Sequence, residues 1–228
     1  MPGDESDHPV IDLHAVSKSF VGTPETTCVL RDVDLTIQHG QKASLIGPSG
    51  SGKSTLLSVM AGLLRTDTGT VAIDGVAIDD LDDGERAELR ANTIGIALQS
   101  DNLIPFLSAA ENVELAFAFS TRAKRKRSKA RAAELLGRFG VGHRAGHLPR
   151  HLSGGEAQRV ALAVSVANDP SLLLADEVVA QLDGETAGHV IDEVLDADFA
   201  VLYVTHDLAL ADLAEHRFEL ADQTVRLR

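Results

Sequence analysis

Apolar and polar positions alternate along the first part of the chain, and that alternation names its first elements. VIDLHAVSKSF, from Val10, has the period of two expected of an edge strand, and CVLRDVDLTI, from Cys28, reads as a second. QKASLIG is a short buried strand running into a glycine-rich turn. The period then lengthens. KSTLLSVMAGLL carries apolar residues at Leu56, Leu57, Val59, Met60, Leu63 and Leu64, a helical spacing. TVAIDGVAI sets Asp74-Gly75 between alternating apolar residues, the mark of a hairpin. TIGIALQ is a further strand, ending at Gln99.

From about Asn102 to Arg150 the pattern turns helical. Ser108 and Glu111 form a capping box that predicts a helix running through Phe119, and the basic stretch with ELLGRF predicts another. GVGHRAGH reads as a loop. Strand-helix alternation then resumes with SLLLADE, GETAGHVIDEVL and AVLYVTH, before two short strands, HRFEL and TVRLR, around the turn ADQ. Strands alternating with helices imply a parallel α/β core, with the helical middle as an inserted subdomain over about residues 100–160. The expectation is one domain over residues 1–228, with a disordered start over residues 1–9.

GPSGSGKS, Gly47 to Ser54, fits the phosphate-loop pattern G-x-x-x-x-G-K-[ST] and sits between a predicted strand and a predicted helix. Glycines let backbone N–H groups turn inward around an anion, and the helix N-terminus adds positive potential. Gly47, Pro48, Ser49, Gly50, Ser51, Gly52, Lys53, Ser54 and Thr55 are therefore candidate nucleotide-binding residues. Lys53 is expected to neutralise the β- and γ-phosphates and Ser54 to ligate Mg²⁺. Farther on, Leu172 to Ala175 end in two acids, Asp176 and Glu177. Two carboxylates closing an apolar run need a cation nearby. In P-loop proteins a strand beside the P-loop strand ends in an acid that faces Mg²⁺, a place that suits Asp176. Glu177 would point elsewhere and deprotonate a water for attack on the γ-phosphate.

LSGGEAQRVALA, Leu152 to Ala163, resembles the signature of the ATP-binding cassette (ABC) ATPases. With the phosphate loop, the two acids, Gln99 and His206 in VTHD, it completes that family's ordered set from about Val10 onward. Ser153, Gly154 and Gly155 precede a helix expected near Glu156 and would form a second anion site. The resemblance implies a P-loop NTPase core with a mixed sheet, an N-terminal antiparallel β subdomain and an inserted α-helical subdomain. It implies ATP and Mg²⁺ as cofactors, and head-to-tail pairing in which each ATP lies between one P-loop and the partner's SGG. It gives Gln99 contact with Mg²⁺ and the attacking water, His206 contact with the γ-phosphate, and Asp183 a place in the loop that communicates across the dimer. Phe20 takes the position of an adenine-stacking aromatic; by composition alone it would be simple core.

NLIPFLSAAENVEL and LLLADE look most like the ATP-binding subunits of lipoprotein-release and macrolide-export transporters, a group that includes a cell-division ATPase. Those subunits pair with a separate permease, here expected to dock on Asn102 to Phe106 and the helix from Ser108, within Asn102 to Phe119. The role implied is an ATPase driving that permease; the alternative is an ATP-dependent regulatory switch acting through a membrane partner without moving a solute. Some positions depart from the pattern: Val178 and Val179 replace Pro and Thr after the acids, Ala180-Gln181 follow, Val164 replaces a common arginine and Asp101 a common phenylalanine.

Charge and composition narrow the setting. A net charge of −13 argues against a general nucleic-acid binder. RAKRKRSKAR, with seven basic residues in ten from Arg122 to Arg131, opposes the trend. Acidic lipid, nucleic acid or an acidic partner would suit it, though a solvated helix face is the simpler reading. No apolar run reaches the roughly 18 residues that span a bilayer. MPGDESDH has no signal-peptide character. A lone Cys28 excludes an internal disulfide and fits a reducing compartment. The expected location is the cytoplasm, peripheral on the inner face of the membrane.

Overall fold

Alternate residues of the same strands feed two different cores, and this fixes the layering. The computed structural model describes residues 8–22, 25–97, 103–118, 122–177 and 184–228. In β7 (Leu172–Asp176), Leu172 and Leu174 enter one apolar cluster while Leu173 and Ala175 enter another. β8 (Ala200–Val204) does the same, with Leu202 and Val204 on one side and Val201 and Tyr203 on the other. Strands covered on both faces read as continuous apolar runs, as these do.

With β3 (Lys42–Ile46), β6 (Ile94–Ala97), β9 (His216–Ala221) and β10 (Thr224–Leu227) they form a six-stranded sheet in the order β10-β9-β3-β8-β7-β6. All its pairings are parallel except β10 with β9, so the sheet is mixed. A second sheet, wholly antiparallel, has the order β2-β1-β4-β5, from β1 (Ile11–Val21), β2 (Thr26–Ile37), β4 (Thr68–Ile73) and β5 (Val76–Ala77). Its inner face shares one core with β3 and with α1 (Lys53–Met60). The other core gathers α3 (Ala109–Leu115), α4 (Arg122–Arg138), α5 (Gly154–Ser165) and α6 (Gly184–Leu195) against β7 and β8. This is the α/β, P-loop NTPase architecture expected, with its antiparallel β and helical subdomains.

Several local expectations need correction. β1 is not an edge strand, because β2 and β4 pair with it on both sides; its polar positions face outward from one sheet face. The helix after the phosphate loop stops at Met60: Gly62 takes a φ of 63°, and Leu63 is exposed. α3 stops at Leu115, and Phe117 is buried from a turn instead. A helix that periodicity did not suggest, α2 (Asp83–Thr93), has a capping box between Asp82 and Glu85, so a D-x-x-E signal did mark it. β7 is not next to β3, since β8 lies between them.

The turn at Asp74-Gly75 is as expected, with both residues at positive φ (51° and 73°) and Ile73 paired with Val76. Among the described residues no helix is long and apolar enough to cross a membrane.

Candidate active site

The phosphate loop is shaped by the strand that feeds it and by close neighbours that leave no room for a side chain at Gly47 or Gly52. Gly47 and Gly52 have φ of 156° and 104°. A Cβ on Gly47 would lie 2.3 Å from the Leu220 carbonyl oxygen, and one on Gly52 would lie 2.6 Å from Val29 Cγ1. Lys53 folds back over the loop, its ammonium donating to the carbonyls of Gly47 (2.9 Å) and Pro48 (2.8 Å). Pro48, Ser49 and Gly50 are exposed at the tip, with Thr55 half-buried behind them. Ser51 Oγ is buried and has no hydrogen-bond partner among the described residues.

β8 sets the distance between loop and acids. Thr205 donates its N–H to Leu45 of β3 at 3.2 Å, and Glu177 donates its N–H to Val204 at 3.1 Å. This brings residues 122 positions apart into contact: Ser54 Oγ donates to Asp176 Oδ2 at 3.0 Å. Burial pushes the Asp176 carboxyl up, and the charge of Glu177 adds to that; the Ser54 hydrogen bond and the Lys53 charge act the other way. Glu177 sits at a φ of 49°, unusual for a residue with a side chain, which turns it out of the strand direction. Its Oε1 lies 3.4 Å from His206 Nδ1. His206 follows Thr205, whose hydroxyl accepts from the Asp207 N–H at 3.1 Å. Asp207 in turn caps the short helix α7 (Leu208–Ala211), accepting from the N–H of Ala209 and Leu210. Sequence reading passed over Thr205, whose position after an all-buried strand was the available sign.

Phe20 is exposed rather than core, so its composition-based reading fails. It pairs opposite Thr27 on the strand whose Val29 touches Gly52, with the Lys18 ammonium 5.8 Å over its ring. Ser153, Gly154 and Gly155 lie at the start of α5, which packs against α3, α4 and β6, while α1 packs against β4. The helix begins at Gly154, two residues before the expected start. Ser153 and Glu156 form a reciprocal capping box (3.3 and 2.8 Å), and Arg144 Nε donates to Glu156 at 2.7 Å. These contacts hold the Glu156 carboxyl down at about 2, the Ser153 N–H chiefly and Arg144 next. Ser153 and Gly154 themselves remain exposed.

In the expected docking segment, buried Asn112 accepts from the Ile104 N–H at 2.7 Å and donates to the carbonyls of Leu107 and Ser108, fixing a loop that leaves Phe106 exposed. Gln99, Asp101, Asn102, Phe119 and the stretch Val178 to Asp183 lie outside the described residues.

A sequence model described as ABC transporter matches residues 30–180, taking in the phosphate loop, the SGG turn and both acids. The chain belongs to the ABC transporter family. It is 44% identical over 211 residues to the lipoprotein-releasing system ATP-binding protein LolD 1 of Rhodopirellula baltica, covering 91% of this chain and 92% of that one. It is 40% identical to the ABC transporter ATP-binding protein YknY of Bacillus subtilis, covering 89% of each. Among solved structures it resembles the ATP-binding cassette MJ0796 in a dimeric post-hydrolysis state bound to ADP and Pi, with a TM-score of 0.91, 37% identity, and 96% and 97% of the two chains covered. The chain is thus an ABC ATPase in sequence and in fold.

Proposed function

We propose that this ABC ATPase binds ATP with Mg²⁺ and hydrolyses it as a head-to-tail pair that drives a separate membrane permease. The contact between Ser54 and Asp176, with Glu177 and His206 beside it, carries the reading. The local chemistry suits the ligands. A hydroxyl and a carboxylate oxygen side by side are hard donors of the kind Mg²⁺ takes. A divalent ion there would also reverse the burial penalty on Asp176. The Ser51 hydroxyl is buried without a partner among the described residues, and Gly47 and Gly52 let the backbone pack where a Cβ would clash, which suits a loop that wraps an anion.

When bound, Mg²⁺·ATP supplies the phosphoryl group and a metal that neutralises charge on it. The chain's residues divide the remaining work. Gly47 to Thr55 enclose the phosphates, with Lys53 turning from the loop carbonyls toward anionic oxygens. Ser54 and Asp176 hold the ion, joined by Gln99. Glu177 accepts the proton of the attacking water, and His206 orients that carboxylate and reaches the γ-phosphate. Phe20 stacks on adenine.

Ser153, Gly154 and Gly155 would close over the ATP of a second subunit, which suits the exposure of Ser153 and Gly154 on the helical layer. The dimeric state described for MJ0796 supports this pairing. The permease would dock on Phe106 and α3, placing the chain on the cytoplasmic face of the membrane. The LolD likeness favours a permease of the lipoprotein-release and macrolide-export branch.

Glu177→Gln tests the reading. It should lower turnover by about 10²–10⁴-fold, the usual contribution of a positioned base, and leave ATP binding intact. The ATP-bound pair should then accumulate in size-exclusion chromatography. Unchanged turnover would remove Glu177 from this role.

A further inference from the structure

The end of β3 opposite the phosphate loop carries side chains for which hydrolysis has no use. His8 lies just before β1, His39 lies in the turn between β2 and β3, and Asp74 opens the β4–β5 turn. His39 Nε2 is 3.0 Å from Asp74 Oδ1, and His8 Nδ1 is 3.8 Å from the same oxygen. One ligand atom from each of the three residues lies within 4.8 Å of the others.

The backbone sets up this meeting without help from the side chains. Val10 donates its N–H to the Ile37 carbonyl at the end of β2, and Asp74 donates its own to the Val10 carbonyl, both at 2.9 Å. Gly75 makes room, since a Cβ there would lie 2.9 Å from the His8 ring.

One protonated histidine beside Asp74 would make an ordinary ion pair. Two imidazoles turned on one carboxylate oxygen are harder to explain that way, because two histidinium charges so close repel each other. A single divalent ion satisfies all three groups. We propose that His8, His39 and Asp74 bind Zn²⁺ or a similar late first-row divalent ion. Two imidazole nitrogens and one carboxylate oxygen match that class, whereas Mg²⁺ and Ca²⁺ prefer all-oxygen sites. Zinc bonds of about 2.0–2.2 Å put tetrahedral ligands about 3.3 Å apart, so the 3.0 and 3.8 Å distances to Asp74 need shifts of a few tenths of an ångström, and the two imidazoles, with ligand atoms within 4.8 Å, need to close by at most about 1.5 Å. Water would complete the coordination. At this end of β3 the ion serves as a clamp, fixing the segment before β1 to two turns of the β sheets, and takes no part in phosphate chemistry.

The untagged full chain, stripped with a chelator and kept free of nucleotide in excess Mg²⁺, should bind Co²⁺ stoichiometrically with visible d–d absorption. Zn²⁺ should displace the Co²⁺ and raise Tm. His8→Ala, His39→Ala and Asp74→Asn should each weaken binding at least about tenfold. His8 lies outside the core, and asparagine tolerates the positive φ at position 74, so these two variants keep the fold intact. ATP turnover of His8→Ala should match the parent. Paired His143→Ala and His151→Ala changes, at exposed histidines elsewhere, should leave binding unaltered. Failure of the parent chain to bind Co²⁺ would overturn the proposal. So would parent-like affinity in the three variants, or loss of binding only in the His143/His151 control.

Discussion

Gly52→Ala probes the phosphate loop through two separable strains. The φ of 104° at Gly52 lies where an L-residue with a Cβ pays roughly 1–2 kcal/mol. The new methyl would also lie 2.6 Å from Val29 Cγ1, an overlap of the sort that costs about 1–3 kcal/mol in packed interiors. Together these predict a loss of about 2–5 kcal/mol. For a domain of this size that lowers Tm by about 4–20 °C. Thermal unfolding of the nucleotide-free protein, followed by circular dichroism, measures it directly.

The two parts separate in a Val29→Ala background, where the methyl no longer meets Cγ1. There Gly52→Ala should cost the φ strain and the tight approach to the backbone carbonyl oxygen of residue 29, 3.2 Å from the new methyl, and the cycle should return the side-chain part as a coupling of about 1–3 kcal/mol. An equal Tm loss in both backgrounds would refute the packing of Val29 on the loop. No loss in either would refute the left-handed backbone at Gly52.

Two further changes bear on the nucleotide site and on the signature turn. Lys53→Ala removes an ammonium that donates to two loop carbonyls, and charged hydrogen bonds of about 1.5–3 kcal/mol imply roughly a 10- to 100-fold loss of ATP affinity; titration with a fluorescent nucleotide reads it, and unchanged affinity would contradict the loop assignment. Glu156, held at about 2 instead of its ordinary 4.5, adds stability that is fully present above 4.5 and is lost as pH falls toward 2. Glu156→Gln should therefore flatten the acid limb of the Tm–pH curve in that window, and an unchanged limb would show that the Ser153 and Arg144 contacts do not hold the carboxylate in solution.

The sequence by itself determined the kinds of element and the chemistry they carry. The phosphate loop and the SGG turn are contiguous motifs legible as they stand, and the capping box at Ser108 works with a partner three residues on. The buried strands were legible for the same reason, since unbroken apolar runs such as Leu172 to Ala175 have few other stable fates.

The tertiary structure decided what depends on partners distant in the chain. An alternating pattern shows which side of β1 is wet but cannot show that β4 pairs along its far edge. The insertion of β8 between β3 and β7 is likewise invisible locally, yet it sets the reach from Ser54 to Asp176 and places His206 beside Glu177. Phe20 looked like core because apolar residues usually are; only the sheet's register put it on the surface. The same holds for His8, His39 and Asp74, three unremarkable residues until two backbone hydrogen bonds bring three separate segments to one point. Short-range sterics and hydrogen bonding are written residue by residue, whereas sheet order comes from burying both faces at once, a property of the whole chain.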